Sequence, residues 1–210
     1  MSPGSISSRV LPKYRPIPLD ERAEQTRLAI LRAATNAFRL HGYAATTMGA
    51  VAALARVSPR TLYRHYGSKG DLFAATIAVG MADFLEQLRA YVQRWPLRRS
   101  ILTAFTHVAI EASEESRELL YLITTDEEAS QFALATSERM LPSLSAILRT
   151  AAGAEIDANH VAWAVRAAAL LNALSVGYRY CAATPGSDML AVVTEAVDVV
   201  LPILQPVGRP

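Results

Sequence analysis

The residues with the clearest chemical purpose lie between positions 47 and 69, where Thr47 is followed by Arg56, Ser58, Pro59, Arg60, Thr61, Tyr63, Arg64, His65 and Lys69. Arg60 and Arg64 carry planar guanidinium forks, which can donate paired hydrogen bonds to a guanine edge or to phosphate oxygens. Thr61 offers a hydroxyl and a methyl group. Tyr63, His65 and Lys69 can each donate to a phosphate oxygen, and Thr47 can clamp a backbone phosphate through its side chain or its N–H. This is the chemistry of holding a polyanion.

Such groups act together only if helices position them. Ser58-Pro59 is a start signal, because serine caps the first turn and proline pre-sets φ where an N–H would be unpaired anyway. It predicts a short helix over 59–66. Before it, Thr46 or Thr47 can cap another short helix running through Ala55, with Met48, Val51, Ala52 and Leu54 available for packing. Asp20, Glu21 and Glu24 suit the first turns of an earlier helix, whose apolar face is Ile30, Leu31, Ala34, Ala37 and Phe38 and which His41-Gly42 ends. After Gly67, the pair Ser68 and Asp71 resembles a capping box and opens a long helix that stops before Pro96.

The remaining pattern is helical in 97–113, 116–123, 125–152, 157–182 and 187–204, so the fold class is all-α. Thr125 with Glu128 reads as a capping box, Pro142 should kink or divide its segment, and Thr184-Pro185-Gly186 is a turn.

Charge is divided unevenly along the chain. Residues 1–71 hold eleven Lys or Arg against four Asp or Glu, a net of +7, whereas 72–210 hold ten against fifteen, a net of −5. A polyanion-binding end and an acidic body follow. Residues 1–19 read as an extended Pro-rich arm with Arg9, Lys13 and Arg15, either a tail without a role of its own or an arm that reaches a minor groove. The expected division is this arm, a DNA-binding domain over 20–70 and a helical body over 71–210.

With 51% hydrophobic residues the chain can build a sizeable core. The apolar stretch 189–204 is broken by Thr194, Glu195 and Asp198, so no membrane span is expected, and the N-terminus does not read as a secretory signal, which makes the cytoplasm the expected compartment. Cys181 stands alone, and His41, His65, His107 and His160 are scattered, so no metal site and no cofactor is expected. Nucleophile-elbow, P-loop and dinucleotide fingerprints are missing, which argues against an enzyme.

The stretch TTMGAVAALARVSPRTLYRHYGSKGDL, residues 46–72, resembles the signature of the TetR/AcrR family of transcriptional regulators. The matching positions are Thr47, Val51, Ala52, Val57, Ser58, Thr61, Leu62, Tyr63, His65, Tyr66, Ser68, Lys69 and Leu72, and the likeness extends back to Phe38 and Gly42-Tyr43. It implies a three-helix helix-turn-helix domain on a helical effector-binding and dimerisation domain. It also implies that Tyr63, His65 and Lys69 contact phosphates while Leu62 packs inward. Segment 125–152, with Glu128, Phe132 and Pro142, looks vaguely like the C-terminal domain of AefR-like members.

Two positions depart from the pattern. Arg56 stands where members usually place glycine; either the turn needs φ above zero, at about 1–2 kcal/mol, or it differs slightly and Arg56 adds a phosphate contact. Gly49 replaces a longer polar residue inside the second helix, costing about 1 kcal/mol of helix propensity.

One helix-turn-helix reads too few base pairs, so a homodimer is expected, with recognition helices about 34–36 Å apart on double-stranded DNA. The last two helices are apolar nearly all round and should be buried in the dimer. Val161, Val165, Ala168 and Leu171, continued by Asn172 and Ser175, form one stripe, and Val193, Val197 and Val200 belong to the other. The resemblance implies a four-helix bundle from these helices. A small, largely apolar effector would sit among Trp95, Phe105, His107, Tyr121, Phe132, Trp163 and Tyr178, with Tyr91 and Met140 as further lining candidates. The expected function is a repressor that such a ligand releases from a palindromic operator; the alternative is an architectural or ligand-independent DNA-binding protein.

Overall fold

A computed structural model describes residues 19–110, 121–123, 125–153 and 160–204. The helices are α1 (Leu19–Ala45), α2 (Met48–Leu54), α3 (Pro59–His65), α4 (Lys69–Tyr91), α5 (Leu97–Phe105), α6 (Glu127–Ala151), α7 (His160–Ala183) and α8 (Met189–Leu204), with a π-helical turn over Thr106–Ile110 after α5. No strand occurs among the described residues. The all-α reading holds, while the arm over 1–18 and the element boundaries anticipated near residues 113, 116 and 157 lie outside the described residues.

Local chemistry sets the N-terminal elements. α1 breaks at Gly42, whose φ of 76° and ψ of 173° reverse the chain where a side chain would be strained. The Thr46 hydroxyl pins that break by donating to the carbonyls of Ala37 (3.1 Å) and Gly42 (2.7 Å). Thr46 is therefore spent on α1, and Thr47 caps α2 by accepting from the Ala50 N–H.

α2 ends in a Schellman turn. The Val57 N–H reaches the Ala52 carbonyl and the Arg56 N–H reaches Ala53, with Arg56 in the left-handed region at φ 55°. The first of the two readings of Arg56 is the one observed. Ser58 caps α3 by accepting from the Thr61 N–H, with Pro59 in the first turn, and Ser68 caps α4 by accepting from Asp71.

Two cores result. The first gathers Phe38, Tyr43, Leu62, Leu72 and Phe73, with the Phe38 and Phe73 rings edge to face at 4.8 Å. It draws side chains from both sides of position 70, and it also takes Ala129 from α6, which is fully buried there. The second core joins the distal half of α4 to α5, α6, α7 and α8 through Leu88, Ile101, Leu144, Leu148, Trp163, Leu170 and Val197.

Two expectations about α6 need correction. Its cap is Asp126, which accepts from the Ala129 N–H, whereas Thr125 donates its hydroxyl back to Tyr121. Pro142 lies inside a continuous helix and does not divide it. The proline is on the exposed face, where water can serve the carbonyl left open one turn back, while Leu144, Ile147 and Leu148 anchor the opposite face in the core.

α7 is long and apolar enough by length and composition to cross a membrane, a property that attention to 189–204 alone missed. Its Trp163, Ala167, Leu170 and Leu174 are packed in the second core. α7 lies close against α8 at Gly177, where an added Cβ would come within 2.8 Å of the Val193 methyl.

Candidate nucleic-acid interface and effector cavity

α3 buries one side chain, Leu62, in the first core and turns the rest of its short cylinder outward. Pro59, Arg60, Tyr63 and Arg64 are exposed, Thr61 and His65 half-buried. The Thr61 hydroxyl shares a 2.9 Å hydrogen bond with that of Ser58, so the cap and the first turn of α3 are tied at side-chain level as well. Thr47, Arg56 and Ser58 are exposed around the turn that leads into α3. One basic, rigidly capped surface thus carries nine of the ten sequence-selected positions.

Lys69 is the tenth, and it is differently employed. Its ammonium donates to the carbonyls of Tyr43 (3.0 Å) and Ala44 (3.3 Å) and lies 4.2 Å from the centre of the Tyr43 ring. It closes the end of α1, with two donors committed inside the fold.

Positioning residues that sequence reasoning missed stand behind α3. Arg27 of α1 makes a two-pronged ion pair with Glu24 (2.8 and 2.7 Å), and its charge acts on the hydroxyl of Tyr66, the residue that ends α3. Burial raises the Tyr66 hydroxyl pKa above its usual value, and Arg27 partly opposes that. The available signal was the three-residue spacing of Glu24 and Arg27 on one helix.

A partly open cavity of about 1140 Å³ lies between the two cores. Its walls come from α1 (Leu28, Leu31, Arg32), the middle of α4 (Ile77, Met81, Phe84), α6 (Ala133, Ser137, Met140, Leu141) and α7 (Leu171, Asn172, Leu174, Tyr178). Phe105 and Tyr178, rings 5.2 Å apart, line it, as does Met140 from the wider set.

The other anticipated lining residues lie elsewhere. Trp95 stacks on Tyr91 at 5.0 Å and beneath Arg99, Trp163 is buried in the second core, Tyr121 is exposed, and Phe132 packs against Tyr43. His107 sits in the π-helical turn and is absent from the cavity wall. Aromatic character marked these residues in the sequence, but which helix face each occupies depends on packing that no single segment contains. Burial pushes the Tyr178 hydroxyl pKa well above the usual tyrosine value, so it stays a protonated donor.

The anticipated dimer stripe also needs correction. Val193 and Val197 are 0% exposed within this one chain, because α8 turns them onto α7 and the second core. Val200 is half-buried, and Ala168 and Leu171 line the cavity. Val161 is 71% exposed and Val165 is also exposed, joined on the surface by Val176 and Tyr180 of α7 and by Val199 (71%) and Ile203 of α8. An apolar-all-round helix reveals that it is buried, not which face its own chain takes.

A capped helix-turn-helix on one core, set against a hollow helical body, defines the class: an all-helical helix-turn-helix fold with a separate helical body. Residues 30–76 match the family model of bacterial regulatory proteins of the tetR family. The HTH-type transcriptional repressor SCO4008 of Streptomyces coelicolor is 38% identical over 60 residues, a match that spans 29% of this chain and 31% of that repressor.

Similar folds are those of FadR of Thermus thermophilus in complex with lauroyl-CoA (TM-score 0.62, 21% identity, 88% of this chain and 97% of that one) and of SmeT, repressor of the Stenotrophomonas maltophilia efflux pump SmeDEF (0.60, 23%, 85% and 91%). A SmeT–triclosan complex matches at 0.61 with 21% identity over 84% of this chain and 90% of that one. The likeness to the tetR family is carried by sequence in residues 30–76, and the fold is similar to these structures over most of the chain.

Proposed function

We propose that the protein is a sequence-reading, DNA-binding transcription regulator, a repressor whose dimer leaves a palindromic operator when a small, largely apolar molecule occupies the cavity. The observation that carries this reading is α3: a helix capped at its start, buried only at Leu62, with Arg60, Tyr63 and Arg64 free to meet a major groove about 12 Å wide. Thr47, Arg56, Ser58, Pro59, Thr61 and His65 are assigned to the flanking backbone and first-turn contacts, with Lys69, its ammonium bound to the end of α1, holding that surface in place. The arm over 1–19, the DNA-binding domain over 20–70 and the body over 71–210 then divide the work, in the cytoplasm and without a catalytic step.

The size of the cavity and its leucine, methionine and phenylalanine walls support an apolar ligand, and the protonated Tyr178 hydroxyl with Asn172 suits one hydrogen-bond acceptor on it. Two neighbours in fold hold ligands with an apolar part, SmeT triclosan and FadR lauroyl-CoA with its acyl chain. Dimerisation is assigned to the exposed face of α7 and α8 around Val161, Val165 and Val199.

Selection of the purified protein on a random duplex library in moderate salt, then footprinting of the enriched sequence, tests the reading. Enrichment of a near-palindrome supports a dimeric regulator; salt-sensitive binding with no enrichment overturns it in favour of an architectural protein.

A further inference from the structure

α6 has two faces with two different neighbours. Ser130, Ala133, Ser137 and Met140 line the cavity, whereas Ala129 and Phe132 are built into the core of the N-terminal domain. The Phe132 ring lies in a notch left by the missing side chain of Gly70 in the first turn of α4; a Cβ there would run into its Cε1 and Cζ. The same ring lies 5.7 Å from that of Tyr43, whose hydroxyl is near enough to the Glu128 carboxylate, one turn before Phe132 on α6, for that charge to raise its pKa.

Lys69, next to Gly70, grips the carbonyls of Tyr43 and Ala44. Glu128, Tyr43, Phe132, Gly70 and Lys69 therefore form one joint, four residues past the end of α3 at Tyr66.

From this we infer that Phe132 is the positioning residue through which the state of the cavity reaches the recognition helix, with α6 as the lever and the Gly70 notch as its socket. The inference rests on the proposed regulatory function and adds a route to it: a body lodged against the cavity face of α6 displaces Phe132, and the α3–α4 junction moves with it. Coupling needs a contact that differs between two states, and a ring seated in a one-residue notch has little intermediate ground.

The test needs no ligand, because a side chain can stand in for one. Ser137→Trp places an indole in the cavity from α6 itself. With Phe132 present, it should change the affinity for the enriched duplex at least five-fold, the lower end of typical coupling, and should alter amide hydrogen exchange over residues 66–72. In a Phe132→Ala background both effects should fall below two-fold.

Independent, additive effects of the two substitutions, or no effect of Ser137→Trp alone on exchange, would overturn the inference. Exchange that responds as expected in a protein that binds no duplex would sink the regulatory reading and leave the joint standing. Should Phe132→Ala lose its helical circular dichroism, Phe132→Leu and Gly70→Ala serve instead. Gly70→Ala evicts the ring from the other side and should uncouple in the same way.

Discussion

At the scale of single residues, exposure separates groups that look alike in the sequence. Arg60 and Arg64 point into solvent from a capped helix, whereas Lys69 has its ammonium folded against α1. Arg64→Ala should weaken binding to the preferred duplex by about 1–3 kcal/mol and relax its sequence preference, read by competition against mismatched duplexes. Lys69→Ala should instead lower the melting temperature, reflecting about 1–2 kcal/mol of lost carbonyl and ring contacts, with little change in the salt dependence of binding. A salt slope reduced by about one with unchanged melting would return Lys69 to the phosphates.

Arg56 is the converse case. It holds a left-handed φ with no glycine, so Arg56→Gly should raise stability by about 1 kcal/mol in urea denaturation. Duplex affinity measured in the same variant reports whether its guanidinium contributes a contact.

Among the elements, those with local signals were legible and those fixed by partners were not. Ser58-Pro59, Ser68 with Asp71, and the Gly42 break each act within a few residues, and α2, α3 and α4 start where these signals stand. Thr46 and Thr47 offer the same cap in the sequence, and only the Thr46 bonds to carbonyls four and nine residues earlier distinguish them. The proline does not divide α6 because helix continuity there is decided by Leu144, Ile147 and Leu148 in the second core, where α6 packs on α4 and α7, information absent from the segment itself.

Ser58→Ala removes both the cap and the Thr61 bridge, and should cost about 1 kcal/mol while loosening α3, visible as faster amide exchange at Arg60 and Thr61. The aromatic joint also sets an alkaline limit. Burial, then the Glu128 carboxylate, pushes Tyr43 up to about 12 from the usual value of 10, so folding favours its neutral form. That stabilisation is complete below about pH 10 and is lost as pH rises from there towards 12. Urea midpoints of Tyr43→Phe measured between pH 9 and 11.5 should fall less steeply than those of the parent chain.

For the whole molecule, composition and pattern established an all-helical protein with a basic front and an acidic body, and the helix-turn-helix positions could be named outright because they occupy one continuous stretch. The cavity and the face proposed for self-association could not, since the first is assembled from five helices and the second depends on which sides of α7 and α8 their own chain leaves uncovered. Only Phe105 and Tyr178 of the anticipated ligand set reach the cavity, and the valines chosen on α8 face inward. If the exposed stripe of Val161, Val165 and Val199 is the contact between two copies, Val165→Glu with Val199→Glu should yield monomers in sedimentation while keeping the helical spectrum of the parent. Duplex affinity should then fall steeply, because each half-site would be held alone.

The N-terminal domain borrows part of its interior: Ala129 and Phe132 reach it from more than fifty residues beyond α3. It is consequently a poor graft. A chimaera that fuses residues 1–95 to a foreign sensor would leave an open socket at Gly70 and a bare Tyr43. One that also transplants the first two turns of α6, or supplies an equivalent aromatic plug, has the missing piece.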